Sequence, residues 1–389
     1  MNEFLPNAAD WASTICYAAA AVGCVYALVA AWVTRGSARW VPATTLSSYP
    51  AVTILKPLHG AEQGLYANLA GCCVQDYPSP VQIVFGVDDP CDPAVEVVQQ
   101  LIADFPDCDL TLTVNSRGHG SNRKVSNLIN MVGEARNEVL VISDSDIVVG
   151  RDYLKSVTAS LATPGVGLVT CLYHGAPATG AWARLSTAAI DYHFLPSVLV
   201  GLKFGLATPC FGSTIALRRE TLRMIGGFET VADHLADDYA LGAAVRRAGL
   251  AVAMPSCVVA HVCAERSARE VFSHELRWAR TIRTVDPLGY CGLVLTHALP
   301  FALLGVLFGG VTPVASIAVV ALACRFILQT ELDRVFQLRN DLFWMGPLRD
   351  VLSFAVFVVS FFGRGVEWRG HRYSVLTDDT LVAYSEANP

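Results

Sequence analysis

Apolar positions along this chain fall into long uncharged runs at its ends and short strand-like runs in its middle. Trp11 to Val33 holds 23 residues without one Asp, Glu, Lys or Arg. As a helix it would be roughly 35 Å long, enough to cross a hydrocarbon core of about 30 Å. It lacks a basic leader and exceeds the apolar length of a signal peptide, so residues 1–47 are read as an N-terminal membrane anchor. Gly289 to Cys324 is a second uncharged run, of 36 residues. That length suits a helical hairpin broken around Gly309-Gly310 and Thr312-Pro313. Val351 to Gly363 is apolar over only 13 residues, bracketed by Arg349-Asp350 and Arg364. It is short for a span and reads as an interfacial or re-entrant helix within a membrane region covering 289–389.

Residues 48–288 follow another rhythm. Val52 to Leu55, Val81 to Val87, Leu110 to Val114 and Val139 to Ser143 are short, apolar and β-branched. Stretches of helical length, Ala94 to Phe105 and Lys124 to Ala135, lie between them. Alternation of this kind predicts an α/β domain with a mainly parallel sheet. Ligands of such sheets bind beyond the carboxyl ends of the strands. Asp88 follows Val87 and Asp144 follows Ser143, so both acids are expected at one edge.

Composition sharpens this picture. The chain is 53% hydrophobic and 16% charged, where soluble domains average about a quarter charged. A net charge of −6 with no basic run excludes nucleic acid as a partner. Arg35 and Arg39 follow the first apolar run, and Arg325, Arg334 and Arg339 follow the second. The positive-inside rule therefore places 48–288 in the cytoplasm. The twelve cysteines include no CxxC pair. Cys257, His261 and Cys263 lack a second pair at zinc spacing. The cysteines read as buried thiols in a reducing compartment.

The candidate chemistry lies in four clusters: Asp88-Asp89, Asp144-Ser145-Asp146, Asp237-Asp238 and His274-Glu-Leu-Arg-Trp278. Two carboxylates about 4 Å apart repel by roughly 4 kcal/mol at an effective dielectric near 20. Acids gathered after buried strands therefore imply a cation to hold or a proton to move. In an extended segment Asp144 and Asp146 point the same way, and Mg²⁺ or Mn²⁺ favours such oxygens together with phosphate. A plain turn is the other reading. Asp92 before Pro93 reads as a helix cap. Asp237 and Asp238 suit a helix N-terminus, and one of them could also serve as a general base. Arg277 and Arg280 share a helix face and suit phosphate, while Trp278 suits a membrane interface. Ile190 to Leu202 is an apolar run carrying His193, either an entrance for a lipid acceptor or a buried helix with one satisfied histidine.

Together these residues resemble a family 2-type glycosyltransferase of GT-A fold, close to the ceramide glucosyltransferases. That family's D, D, D, (Q/R)xxRW pattern falls on Asp89 beside Asp88, Asp144, Asp238 and Arg277-Trp278. Further matches are Leu55-Lys56-Pro57-Leu58, Asn122 to Leu128, Phe211 to Arg219 and Ile225 to Phe228. His274 departs from the pattern at the first position of (Q/R)xxRW. His119 to Met131 resembles the family's bacterial hopanoid-biosynthesis branch, a slight lean over the ceramide branch. The resemblance implies an inverting, multi-pass enzyme of the bacterial inner membrane. It would transfer N-acetylglucosamine or glucose from a UDP-sugar to the hydroxyl of a membrane lipid, hopanoid or ceramide, giving a β-glycolipid. Asp144 and Asp146 would hold Mg²⁺ or Mn²⁺ against the diphosphate, and Asp88, Asp89, Lys56 and Lys124 would meet the nucleotide. Asp238 would be the base. Arg277 and Trp278 would close over the diphosphate, with His193, Asp237 and Trp278 at the acceptor. A processive polysaccharide synthase shares these motifs and would need a longer helical bundle. A non-catalytic membrane scaffold of the same fold is the remaining alternative.

Overall fold

The structure, a computed structural model, describes residues 8–37, 45–309, 316–338, 343–363, 365–368, 371–375 and 380–383. The chain forms two units. One comprises Val41–Thr179, Pro209–Ala264 and Arg364–Pro389; the other comprises Met1–Trp40, Gly180–Thr208 and Glu265–Gly363.

The first unit is α/β. Its strands are β1 (Val52–Pro57), β2 (Val81–Val87), β3 (Asp109–Val114), β4 (Val139–Ile142), β5 (Ile147–Val148), β6 (Val166–Thr170), β7 (Leu172–Pro177), β8 (Ile215–Arg218), β9 (Ala251–Ala253) and β10 (Val258–Cys263). The main sheet runs β3-β2-β1-β4-β8-β6-β9. β3, β2, β1 and β4 are parallel, and β8 is antiparallel to both its neighbours. β1 is buried at all six positions, the continuous apolar run expected of a strand covered on both faces. Ile54 packs into one layer with Leu58 and Leu69, and Leu55 into the opposite layer with Val125 and Leu128. Burial of each such side chain contributes about 1.5–3 kcal/mol.

The predicted helices form at Ala94–Asp104 and Arg123–Val132. Asn122 starts the second of these by accepting a 3.1 Å bond from the Val125 N–H, a side-chain N-cap. The strand order reverses between β1 and β4, the switch point where α/β sheets bind ligands. β5, β10 and β7 form a smaller second sheet, in which His261 pairs with Ile147 on one side and Gly175 on the other. Gly365–Trp368, His371–Val375 and Leu381–Ala383 form a separate antiparallel sheet.

The second unit is helical. Among the described residues, Ala8–Ser37 and Ala181–Lys203 are long and apolar enough to cross a membrane. Ala181–Lys203 contains the apolar run with His193, and passes through a π-helical turn at Ile190–Phe194. Pro287–Thr296 and Ala298–Gly309 form a pair bent by 65°, followed by Ile317–Phe336. The break expected at Gly310 and Thr312-Pro313 lies outside the described residues, as do Arg39 and Arg339. Gly346–Ser360 is a 15-residue helix, about 22 Å long and shorter than a hydrocarbon core. Its first turn carries Arg349, which is 1% exposed and donates two bonds to the Glu275 carboxylate, at 2.7 and 2.6 Å.

Candidate active site

The acidic site is built on the turn between β4 and β5. Backbone carbonyls in a buried turn need donors, and each one here has one. The Asp144 carbonyl accepts from Lys56 Nζ at 2.8 Å, that of Ser145 from Asn68 Nδ2 at 3.1 Å, and that of Asp146 from the Val262 N–H at 2.8 Å. The Asp-Ser-Asp segment is thus a pinned turn rather than the extended segment expected, and pinning leaves its two carboxylates for other work. Lys56, expected at the nucleotide, is wholly buried. Its ammonium is spent on the Asp144 carbonyl and, at 3.0 Å, on Ser143 Oγ. It shapes the turn that carries Asp144 and Asp146.

Lys124 is the hub of the acids. Its Nζ lies 2.8 Å from Asp144 Oδ1 and 3.5 Å from Asp237 Oδ2. Burial works to lower its pKa, but the charges of Asp144, Asp237 and Asp238 outweigh burial and raise it above the ordinary lysine value. It is therefore a permanent cation. Asp237, expected at the acceptor, is buried and paired with Lys124, with Asn122 Nδ2 at 3.4 Å. Its carboxylate thus faces two groups of the protein itself.

Asp238 opens the helix Asp237–Arg247. Its Oδ1 accepts from the Tyr239 N–H and its Oδ2 from the Gly212 N–H, both at 2.7 Å. The helix-start reading therefore holds. Burial, and then the charge of Asp237, push the Asp238 pKa up to about 6, against the lowering pull of Lys124 and the two N–H donors. A carboxylate poised near neutrality is suited to proton transfer.

The space around Gly212 brings two of the separate acids to one place. A methyl group built at Gly212 would lie 3.1 Å from Asp144 Oδ2, 3.2 Å from Lys124 Nζ and 3.4 Å from Asp238 Oδ2. The Tyr173 phenol has its pKa raised by burial and then by the charges of Asp238, Asp146 and Asp144. The Tyr173 ring also meets Phe211 edge-on at 5.6 Å and His261 at 5.8 Å.

The donor set fits a divalent cation. Asp146 Oδ1 is buried without a hydrogen-bond partner among the described residues, a costly state unless a ligand satisfies it. Asp146 Oδ2 lies 3.6 Å from His261 Nδ1. Carboxylates beside an imidazole suit Mg²⁺ or Mn²⁺. A second grouping, His59, Asp88 and Asp92, has ligand atoms within 4.8 Å of one another. Its acids are already engaged. Asp88 pairs with Arg123 at 2.8 Å, and Asp92 accepts from the N–H groups of Gly60 and Ala94. Asp92 is thus the helix-starting residue expected. Asp89 is exposed beside Asp88 and accepts from the Cys91 N–H.

The remaining expected residues lie in the helical unit. Arg277 and Trp278 sit on the helix Ala268–Val285, whose Ser267 Oγ accepts from the Glu270 N–H. His274, the departure from the motif, is held by Glu265 at 2.5 Å and meets the Trp278 ring edge-on at 4.6 Å. It therefore orients the tryptophan. His193 Nε2 lies 3.0 Å from Asp350 Oδ1, which Arg325 also contacts at 2.9 Å. His193 is mostly buried within this ionic cluster, as the satisfied-histidine reading describes.

Tyr173, His261, Gly212 and Arg123 carry chemistry that the sequence alone did not assign. Arg123 and Gly212 lie inside segments quoted for the resemblance. His261 reaches Asp146 only because β10 pairs with β5.

The Glycosyl transferase family 21 model matches residues 15–381. Ceramide glucosyltransferase 1 of Caenorhabditis elegans is 25% identical over 263 residues, 65% of this chain and 56% of that protein. The ceramide glucosyltransferase of Candida albicans is 36% identical over 124 residues, 29% of this chain and 23% of that protein. The chain thus spans about half, or less, of the length of these relatives. Among solved structures, the mannosyltransferase PcManGT from Pyrobaculum calidifontis in complex with GDP-Man and Mn²⁺ superposes with a TM-score of 0.53 at 20% identity, covering 90% of this chain and 99% of that one. The likeness establishes the GT-A fold that the family resemblance implied. With that fold beneath a match running almost end to end, the chain belongs to glycosyl transferase family 21.

Proposed function

We propose that this protein is an inverting, membrane-bound transferase that moves a hexose from a UDP-sugar to the hydroxyl of a membrane lipid, on the cytoplasmic face of a bacterial inner membrane. The observation that carries the reading is the meeting of Asp144 and Asp238 beside Gly212, with the buried Asp146 carboxylate in the same turn as Asp144. Asp144 and Asp146, with His261 beside them, would hold Mg²⁺ or Mn²⁺, which when bound offsets the charge of the leaving diphosphate. Asp88 and Asp89 meet the nucleotide, with Arg123 holding Asp88 in place. Lys124 fixes Asp144 and Asp237, and keeps the mutual repulsion of the acids from dispersing them. Asp238 accepts the proton of the lipid hydroxyl as its oxygen attacks the anomeric carbon. A single displacement turns an α-linked donor into a β-glycoside. Arg277 and Trp278 retain the roles the family pattern implies, at the diphosphate and the acceptor. The names of the relatives favour ceramide and glucose, whereas the His119 to Met131 segment favours a hopanoid and N-acetylglucosamine. Both pairs are to be assayed.

Calorimetric titration of UDP tests the cation site. Asp146→Ala should weaken UDP binding in Mn²⁺ at least tenfold, the lower end of what losing even an outer partner of a metal site costs, and the gain in affinity from adding Mn²⁺ should vanish. A titration identical to wild type would remove Asp146 from the site. Gly212→Ala places a methyl among three charged groups and should lower turnover about tenfold or more through small displacements, with the thermal midpoint little changed. Normal turnover would show that the cluster tolerates rearrangement.

A further inference from the structure

Within the helical unit a cavity of about 610 Å³ is lined by Trp32, Val33, Arg35, Leu199, Leu202 and Lys203, among others. Its volume is that of a ligand cleft, typically about 300–1,000 Å³. It lies at the C-terminal ends of Ala8–Ser37 and Ala181–Lys203, the two helices of membrane-crossing length. The walls are apolar and the lip is cationic. Lys203 Nζ stands 5.8 Å over the Trp32 ring, and Arg35 is 60% exposed. Glu331 is the local acid, and it is shared by Arg35 at 2.6 Å and Arg334 at 2.8 Å. Three cations against one carboxylate leave an excess of positive charge at the lip. Beyond Lys203, Gly205 takes a left-handed conformation and the Leu206 N–H returns to the Gly201 carbonyl at 2.8 Å, a glycine helix stop. This turn presents Phe204 and Leu206, 52% and 74% exposed.

We propose that this cleft binds a membrane phospholipid with an anionic headgroup, its phosphate between Arg35 and Lys203 and an acyl chain along Trp32, Val33, Leu199 and Leu202. The excess cationic charge selects an anion, whereas the lipid alcohol that would accept a sugar is neutral. The apolar wall selects a chain-bearing anion over a free one, and each buried methylene adds to binding. Phe204 and Leu206 would enter the bilayer beside it, as exposed apolar side chains next to cations do at anionic surfaces. The inference is independent of the sugar-transfer reading.

The test is native mass spectrometry of the delipidated full chain in detergent, without sugar nucleotide, given equal amounts of phosphatidylglycerol and phosphatidylcholine with identical chains. Wild type should retain phosphatidylglycerol in preference. Lys203→Gln and Arg35→Gln should each lower that retention about fivefold, the effect of one basic residue near an anionic surface, and together about 25-fold on the same principle. The exposed Arg247→Gln on the other unit should change nothing. Equal retention of the two lipids, an unchanged preference in the double variant, or displacement of the lipid by inorganic phosphate would overturn the proposal. Should Arg35→Gln fold poorly, the exposed Lys203 carries the test alone.

Discussion

Replacing Asp238 with asparagine is expected to lower turnover by about 10²–10⁴-fold, the usual worth of a general base, while UDP binding stays close to wild type. The amide keeps one acceptor oxygen for the Gly212 N–H, sets its NH₂ against the Tyr239 N–H, and cannot take a proton. The same residue sets a pH dependence. With a pKa near 6, Asp238 is a competent base above that value, and kcat/KM should fall as the pH drops through it. Stability runs the other way. The folded chain holds this proton to a higher pH than an unfolded aspartate does, so stability falls as pH rises from about 3.8 to about 6. Above that window the buried charge costs on the order of 3 kcal/mol. Losing that buried charge is offset by leaving the Tyr239 N–H unpaired, which costs about 1–3 kcal/mol, so Asp238→Asn should unfold close to wild type at pH 7.5, and a markedly lowered thermal midpoint would mark Asp238 as a structural residue. Stopped-assay kinetics and a melting curve on the same preparation decide the matter.

Arg349→Ala should be the most destabilising single change in the helical unit. Arg349 is 1% exposed, and besides its two bonds to Glu275 it donates to Ser353 Oγ and the Leu185 carbonyl. Removing it strands a buried carboxylate, which costs about 3–5 kcal/mol. Exchanging both partners for uncharged residues of similar size is milder, because nothing is then left unpaired. Thermal unfolding in detergent should place the double variant Glu275→Gln/Arg349→Met above Arg349→Ala. Strictly additive losses across Glu275→Gln, Arg349→Met and their combination would show that the pair does not couple.

The sequence made some of this legible and hid the rest for physical reasons. β1, β2 and β4 declare themselves because a strand buried on both faces is largely apolar, whereas β3 is an edge strand, exposed or half-buried throughout, in which Leu alternates with Thr. Val52 and Val81 begin their strands as expected. The edge that carries Asp88 and Asp144 follows from that parallel order. Lys56 is different, since a buried lysine and a ligand-binding one look identical in a string of letters. Only the sheet shows that its ammonium serves the Asp144 carbonyl. His261 and Tyr173 were hidden by distance, as pairing of β10 with β5 and β7 spans more than a hundred residues in one case. His193 and Asp237 were open to more than one reading because both sit in suggestive runs, and the fold seats each beside a buried charge partner. Arg349 looked like a boundary charge of a short apolar helix, and its partner Glu275 lies inside the aromatic-basic motif.

The most direct test incubates the purified full-length protein with Mn²⁺, UDP-glucose or UDP-N-acetylglucosamine, and ceramide or hopanoid, and identifies the products by mass. The account predicts one glycolipid carrying a single β-linked hexose, formed with release of UDP and lost on removing the cation. Intact donor over every lipid, or a ladder of lengthening sugar chains, would contradict it.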